Sequence, residues 1–397
     1  MARNRNRNRS KADELTLEEL LAAKEMIVVC GTGGVGKTTA AAALGAMAAA
    51  HLGGRVLVLT VDPARRLATA MGIGPLSHEP VPVPLEVFAA AGVRPRGELW
   101  AAMLDTKSSW DDLIRRHAPD ATVRETVLAN PLYENITRRF VHSHDYIAME
   151  KLHELHSSGR YDLVIIDTPP SRNALDFLDA PRRMAEFFGS RLLRWLTVPY
   201  RSRLFTAASK PFYQIADRVL GSRFLQDIAE FFILFQSMES GFVARAREIE
   251  ALLTDPRTSF CVVTTLETSP MVETRFFADE LADRRLPLGA VIVNKVLPTG
   301  LRDPVAASAA RRMRAEATDL ADALVPVIDR DSAAIRGVLV EMADRFDDVA
   351  VVATRAAERL GELAGLASTL AVVPALDADI HDLEGLLLLG GYLWRPA

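Results

Sequence analysis

Two cysteines in 397 residues leave no material for a disulfide framework. Both, Cys30 and Cys261, sit in apolar runs that read as buried strands, a usage that fits a reducing compartment. Long hydrophobic runs are missing as well, since none reaches the roughly 20 residues needed to span a bilayer. Residues 1–10 alternate arginine with asparagine and run into acidic positions, without the apolar centre of a signal peptide. Neither charge is in large excess: 47 basic side chains against 51 acidic ones, net −4, argue against a nucleic-acid partner. These absences point to a cytoplasmic protein whose residues 1–17 form a disordered basic arm, read as a solvated tail. Histidine is scarce (eight), yet His142, His144, His153 and His156 crowd one stretch. On a helix His142 and His153 would lie about 16 Å apart, too far for one ion. They therefore read as packing or solvated positions.

The most informative stretch is Met26 to Thr39, MIVVCGTGGVGKTT. It reads as a buried strand, a glycine-rich turn and the start of a helix that continues through an alanine run to about Ala50. Gly31, Gly36, Lys37 and Thr38 fit G-x-x-x-x-G-K-[ST], the phosphate-binding loop. Gly33, Gly34, Val35, Gly36, Lys37, Thr38 and Thr39 are the candidate nucleotide-binding residues. Glycine allows the positive φ angles that turn successive N–H groups toward phosphate oxygens. The helix N-terminus adds its dipole, Lys37 neutralises phosphate charge, and the Thr38 hydroxyl can ligate Mg²⁺. The same residues match G-x-G-x-x-G, with Asp62 ending the next strand where a dinucleotide fold places its ribose acid. A hydride-transfer enzyme thus competes, but it assigns no task to Lys37 and Thr38 or to a second strand ending in acid, Asp162 to Asp167.

Strands are expected at Arg55–Val61, Leu99–Leu104, Asp162–Asp167, Phe260–Thr265, Gly289–Val293 and Leu324–Ile328, with helical stretches between them. Residues 75–97, rich in proline and glycine, read as loop. Strands alternating with helices imply an α/β doubly wound, mostly parallel sheet, with ligand-binding residues at the strands' carboxyl ends. Gly31, Asp62, Asp167, Thr265 and Asn294 all fall there. Met184 to Phe242 breaks the alternation, holding twelve of the 26 Phe, Tyr and Trp residues. It lacks a strand pattern and reads as a helical insertion at about 181–254 within one domain spanning 18–397. That insertion is either a groove for an apolar client or a membrane surface, or ordinary core.

Asp167 is placed to hold Mg²⁺, directly or through water, because a buried carboxylate needs a cationic partner. Asp62 is the candidate to orient the attacking water, with Lys37 as its catalytic companion and a further link to the metal. ATP is favoured over GTP, since Asn294-Lys295-Val296-Leu297 has leucine where guanine recognition uses an acid. Asn294 remains free to meet an adenine edge.

Gly31-Thr-Gly-Gly-Val-Gly-Lys-Thr-Thr, Thr60-Val-Asp-Pro-Ala-Arg, Asp167-Thr-Pro-Pro-Ser and Val293-Asn-Lys together resemble the arsenite-pump ATPase (ArsA) family. That family includes the targeting ATPases for tail-anchored membrane proteins and is related to the MinD/ParA group. The likeness covers most of Met26 to Asp329, and the tail around Val373-Pro374 and Asp379–Glu384 resembles bacterial members. It implies a P-loop ATPase acting as a nucleotide-sandwich dimer, with switch loops after Asp62 and Asp167. Three departures stand out. The family usually has a lysine at position 32, reaching the partner's phosphates, where this chain has Thr32. It often has Ala-His after Asp-Pro, where this chain has Ala64-Arg65. Its arsenite and zinc sites need clustered thiols, which Cys30 and Cys261 do not supply. Arsenite transport is therefore rejected. A homodimer would lack the trans charge, unless Arg65, Arg66 or Arg172 replaces it. A paralogous ATPase subunit bearing the lysine would restore it in a heterodimer.

Overall fold

The computed structural model describes residues 15–61, 65–74, 76, 78–130, 133, 141–169, 174–188, 231–234 and 237–394. Eight strands form one sheet: β1 (Met26–Gly31), β2 (Arg55–Thr60), β3 (Val81–Pro82), β4 (Glu98–Met103), β5 (Leu163–Asp167), β6 (Thr258–Thr264), β7 (Leu288–Val296) and β8 (Thr369–Pro374). Their order is β3-β4-β2-β5-β1-β6-β7-β8, parallel throughout except for the short edge strand β3. The central strands β1, β5 and β6 are mostly apolar and buried at every position, because helices cover both faces of a parallel sheet. This is the doubly wound α/β fold that the alternation implies.

Two expectations are corrected. Leu324–Ile328 is not a strand: helix Ala317–Leu324 runs into it and a turn follows. Val325, Val327 and Ile328 are exposed there, and a strand buried on both faces cannot leave its apolar residues in water. The last strand is instead β8, beside β7. Residues 75–97 are more ordered than a loop, since they contain β3 and the helix Leu85–Ala90, which buries Phe88.

On one face the alanine-rich helix Lys37–His51 lies directly on the sheet, itself covered by the C-terminal helix Leu383–Trp394. Gly45 allows that approach, for a Cβ there would collide with Val58 and crowd Leu99. On the other face Thr106–His117, Val141–Ser157 and Glu239–Thr254 pack over Val28, Cys30, Ile166 and Val262. Of the aromatic-rich stretch, Phe231 and Phe242 join Met238 in this core, with Phe242 against Trp110 and Tyr146. Residues 189–230 of that stretch lie outside the described residues, as do residues 1–14 and the side chains of His142 and His144. His153 and His156 take structural partners, respectively Arg245 (3.2 Å) and Glu25 (3.1 Å).

Beneath these helices is a buried polar cluster. Tyr146 donates to Glu150 (2.8 Å), and Arg245 reaches Glu150, His153 and His117 (3.5, 3.2 and 3.3 Å). Burial pushes the Glu150 carboxyl up from 4.5 to about 7, with Tyr146 and Arg245 opposing it. Burial, and then Arg245, lowers His117 and His153. A carboxyl raised on folding stabilises fully below its unfolded value, and that contribution is lost as pH rises through the folded one. Depressed histidines act in the opposite direction, losing stability as pH falls. Glu150→Gln isolates the first effect. The variant's melting temperature minus that of the parent should therefore rise between pH 5 and pH 8, reflecting on the order of 2 kcal/mol. A flat difference across that range would show that Glu150 is ionised in the folded protein throughout.

Candidate functional site

The carboxyl ends of β1, β2, β5, β6 and β7 meet along one edge. Asp167 is level with Val29 of β1 and Thr60 of β2, and Gly31 is level with Val263 of β6. From this edge the chain leaves β1 through Gly31, whose φ of 151° brings it so close to the Val263 carbonyl that a Cβ would collide. Gly34 and Gly36 follow with φ of 82° and 94°, and Gly36 is the N-cap of helix Lys37–His51. The first amides of a helix have no intrahelical acceptor, so the turn and the helix together present N–H groups suited to an anion. Gly33 and Gly34 are exposed, Thr38 and Thr39 half-buried, and Val35 is buried as the loop's anchor.

Lys37 is only 8% exposed, and its ammonium donates to the Thr32 carbonyl (3.0 Å) across the loop. The Thr38 hydroxyl donates to Asp167 Oδ2 (2.6 Å), and so does the Thr60 hydroxyl (3.1 Å). Asp167 itself is 1% exposed. The structure thus joins Thr38 and Thr60 to Asp167 through hydrogen bonds at the carboxyl ends of neighbouring strands, with Lys37 beside Thr38 at the start of the helix. A buried carboxylate beside two threonine hydroxyls is an all-oxygen donor set, which fits a hard cation such as Mg²⁺ rather than a soft one. Thr168 adds rigidity by donating to the Val29 carbonyl (2.8 Å).

Asn294 reaches the loop because β7 ends irregularly. Its register with β8 slips between Val293 and Val296, and Lys295 adopts a left-handed φ of 58°. That bulge lets the Asn294 amide donate to the Val35 carbonyl (2.9 Å), while its oxygen accepts from the Lys295 N–H (2.9 Å). Lys295 Nζ also reaches the Gly34 carbonyl (3.3 Å). Asn294 thus holds the loop, a task for which no sequence signal exists. Thr60 joins the site as the last residue of the buried strand β2, where a hydroxyl is a recognisable cue.

Asp62, proposed to orient water, lies outside the described residues, as do Arg172 and the side chains of Arg65 and Arg66. Val61 is described, and its N–H donates to the Asp167 carbonyl (3.1 Å). Cys30 and Cys261 lie on neighbouring strands but face opposite layers of the core. Burial pushes both thiols up to about 12. They cannot gather as thiolates around one soft metal. Among the described residues no helix is long and apolar enough to cross a membrane.

The profile of the family described as Anion-transporting ATPase matches residues 24–320. The chain is 32% identical over 179 residues to the uncharacterized protein SCO2128 of Streptomyces coelicolor, covering 44% of this chain and 40% of that one. It is 36% identical over 200 residues to the ATPase ASNA1 homolog of Leishmania infantum, covering 44% and 47%. The match to ATPase BagA of Mycobacterium tuberculosis is longer and weaker, 24% over 311 residues, covering 77% and 71%. The chain thus spans less than half the length of the first two relatives. With a profile match over most of its length and a phosphate loop closed onto a buried aspartate, the chain belongs to the anion-transporting ATPase (ArsA) family.

Proposed function

We propose that this chain binds MgATP at residues 31–39 and hydrolyses it as a nucleotide-sandwich dimer, in the cytoplasm, for an apolar protein client or a membrane partner. Residues 18–397 act as one ATPase domain, with a helical insertion at about 181–254. The observation that carries the reading is the 2.6 Å hydrogen bond between Thr38 and Asp167, beside the buried Lys37. It brings together the charge-neutralising, hydroxyl and carboxylate parts that phosphoryl transfer requires. The loop amides and Lys37 would bind and orient the β- and γ-phosphates, and Asp62 would position the attacking water. Thr38 and Asp167 would hold Mg²⁺, which when bound neutralises charge developing between the β- and γ-phosphates. Asn294 would keep the loop in its binding shape while meeting the adenine edge. Switch segments after Asp62 and Asp167 would relax once the γ-phosphate leaves, which opens the dimer.

The test is specific ATPase activity across a wide range of protein concentrations. Activity per chain should rise as dimers form. ATP binding without turnover at any concentration would overturn the self-sufficient enzyme.

That outcome belongs to the second reading, a nucleotide-binding subunit paired with a paralogous ATPase. It rests on Thr32, which supplies no cation and whose buried hydroxyl has no hydrogen-bond partner among the described residues. Thr32→Lys should raise homodimer turnover by at least about tenfold, and by up to roughly 10³-fold if it acts as fully as a cation supplied in trans can. An unchanged rate would mean that the missing charge does not limit this chain.

A further inference from the structure

The chain bends at residues 78–79, just before the edge strand β3. In an extended chain successive side chains point to opposite sides. The bend instead turns His78 and Glu79 together, so that Glu79 Oε1 stands 3.6 Å from His78 Nε2. The same Nε2 stands 3.9 Å from Asp112 Oδ2, on helix Thr106–His117. One ligand atom from each of the three side chains lies within 4.8 Å of the others. Among the described residues this is the one place where three His, Cys, Asp or Glu side chains converge so closely.

The two segments that supply these groups are both anchored to β4. Just past Glu79, Val81 pairs with Ala101 and the Val83 N–H donates to the Leu99 carbonyl (2.8 Å). Helix Thr106–His117 begins where β4 ends, with Asp105 as its N-cap. Within that helix two adjacent acids have different surroundings. Asp111 accepts at both oxygens, from Tyr133 (2.9 Å) and Lys107 (2.8 Å), as a structural residue does. Asp112 accepts from Arg115 (2.9 Å) at Oδ1 and turns Oδ2 toward His78. A carboxylate held from behind through one oxygen is oriented as outer contacts orient a metal ligand.

Two carboxylates this close repel unless positive charge lies among them. A protonated imidazole would donate its Nε2 proton to one acid, yet both separations from Nε2 are too long for a hydrogen bond. They suit an ion set between the side chains. Ligand atoms about 2.1 Å from a tetrahedral ion stand about 3.4 Å apart, which small side-chain rotations reach, the exposed Glu79 moving most. One imidazole with two carboxylates fits a first-row transition cation, whereas Mg²⁺ and Ca²⁺ prefer oxygen donors alone. We propose that His78, Glu79 and Asp112 bind such a cation, of which Zn²⁺ is the probe, with water completing its shell. The ion would tie the segment before β3 to helix Thr106–His117. This site shares no residue with the group around Thr38 and Asp167, and its nitrogen donor gives it a different metal preference.

The experiment titrates Zn²⁺ into the chelator-stripped full chain against a chromophoric competitor, with excess Mg²⁺ present to fill the all-oxygen site at Asp167. Cys30 and Cys261 are buried and protonated, so they do not compete for the ion. One Zn²⁺ per chain should bind. His78→Ala, Glu79→Gln and Asp112→Asn should each weaken binding at least about tenfold, since losing even an outer contact of a metal ligand costs about 10–100-fold. His381→Ala is the control, because that exposed histidine stands beside a single acid, Asp382. It should bind as the parent does. Co²⁺ should give the parent visible absorption bands that His78→Ala lacks. Zn²⁺ should also raise the melting temperature of the parent and leave that of His78→Ala unchanged. All three substituted side chains are at least partly exposed, and circular dichroism confirms that the variants are folded. No Zn²⁺ bound in the presence of Mg²⁺, or equal binding by the parent and the three variants, would overturn the proposal.

Discussion

Lys37→Ala is expected to cut ATP turnover by about 10²-fold or more, with the protein still folded. Lys37 is nearly buried, and its ammonium points across the loop onto the Thr32 carbonyl. A cation fixed in that position, among amides already turned toward an anion, requires little reorganisation when phosphates arrive. Alanine removes the charge and leaves the backbone cradle, so residual nucleotide binding should fall as well. Asp167→Asn is the companion test. Asparagine can still accept from Thr38 and Thr60, which preserves the local hydrogen bonds. It loses the negative charge that a hard cation needs, so the variant should require far more Mg²⁺ for any activity. Equal Mg²⁺ dependence in parent and variant would remove Asp167 from the metal site. Full activity in Lys37→Ala would remove the phosphate-loop reading itself.

Gly45→Leu should destabilise the fold by on the order of 3 kcal/mol in denaturant titration. Elsewhere replacing a helical glycine with a larger residue is favourable, because it reduces backbone entropy in the unfolded chain. Gly45 is different because a Cβ at this position would collide with Val58 of β2 and crowd Leu99 of β4. The helix must then lift off the sheet, and its first turn carries Lys37 and Thr38. Nucleotide affinity should fall along with stability. Gly391→Ala is the control: that glycine is also helical, but nothing stands within 4 Å of the Cβ position. It should gain about 0.5–1 kcal/mol. If both substitutions changed stability alike, helix propensity rather than helix–sheet contact would govern these sites.

The fold and the core of the site were legible because their signals are local. A run of five or six Val, Ile and Leu is a buried parallel strand wherever the neighbouring segments are amphipathic. Glycine, lysine and threonine at fixed spacing after such a run specify a turn whose backbone binds phosphate, since each needs only its own φ angles and the following helix. Leu324–Ile328 misled because the same apolar composition serves an exposed turn and a buried strand, and no local cue reports burial. β8 was missed for the reverse reason. Thr369 to Pro374 becomes a strand only because the edge of β7 has free hydrogen-bonding groups to pair with.

By itself, then, the sequence determined the doubly wound class, the phosphate loop and the acid that ends β5, since local conformational preference decides each of these. Only the tertiary structure decided that Asn294 braces the loop through a bulge, that Thr60 shares the Asp167 oxygen, and that the two cysteines face opposite layers. Those features depend on which distant segments become neighbours. Strand order and register set that pairing, and they are properties of the assembled sheet that no short stretch of chain encodes.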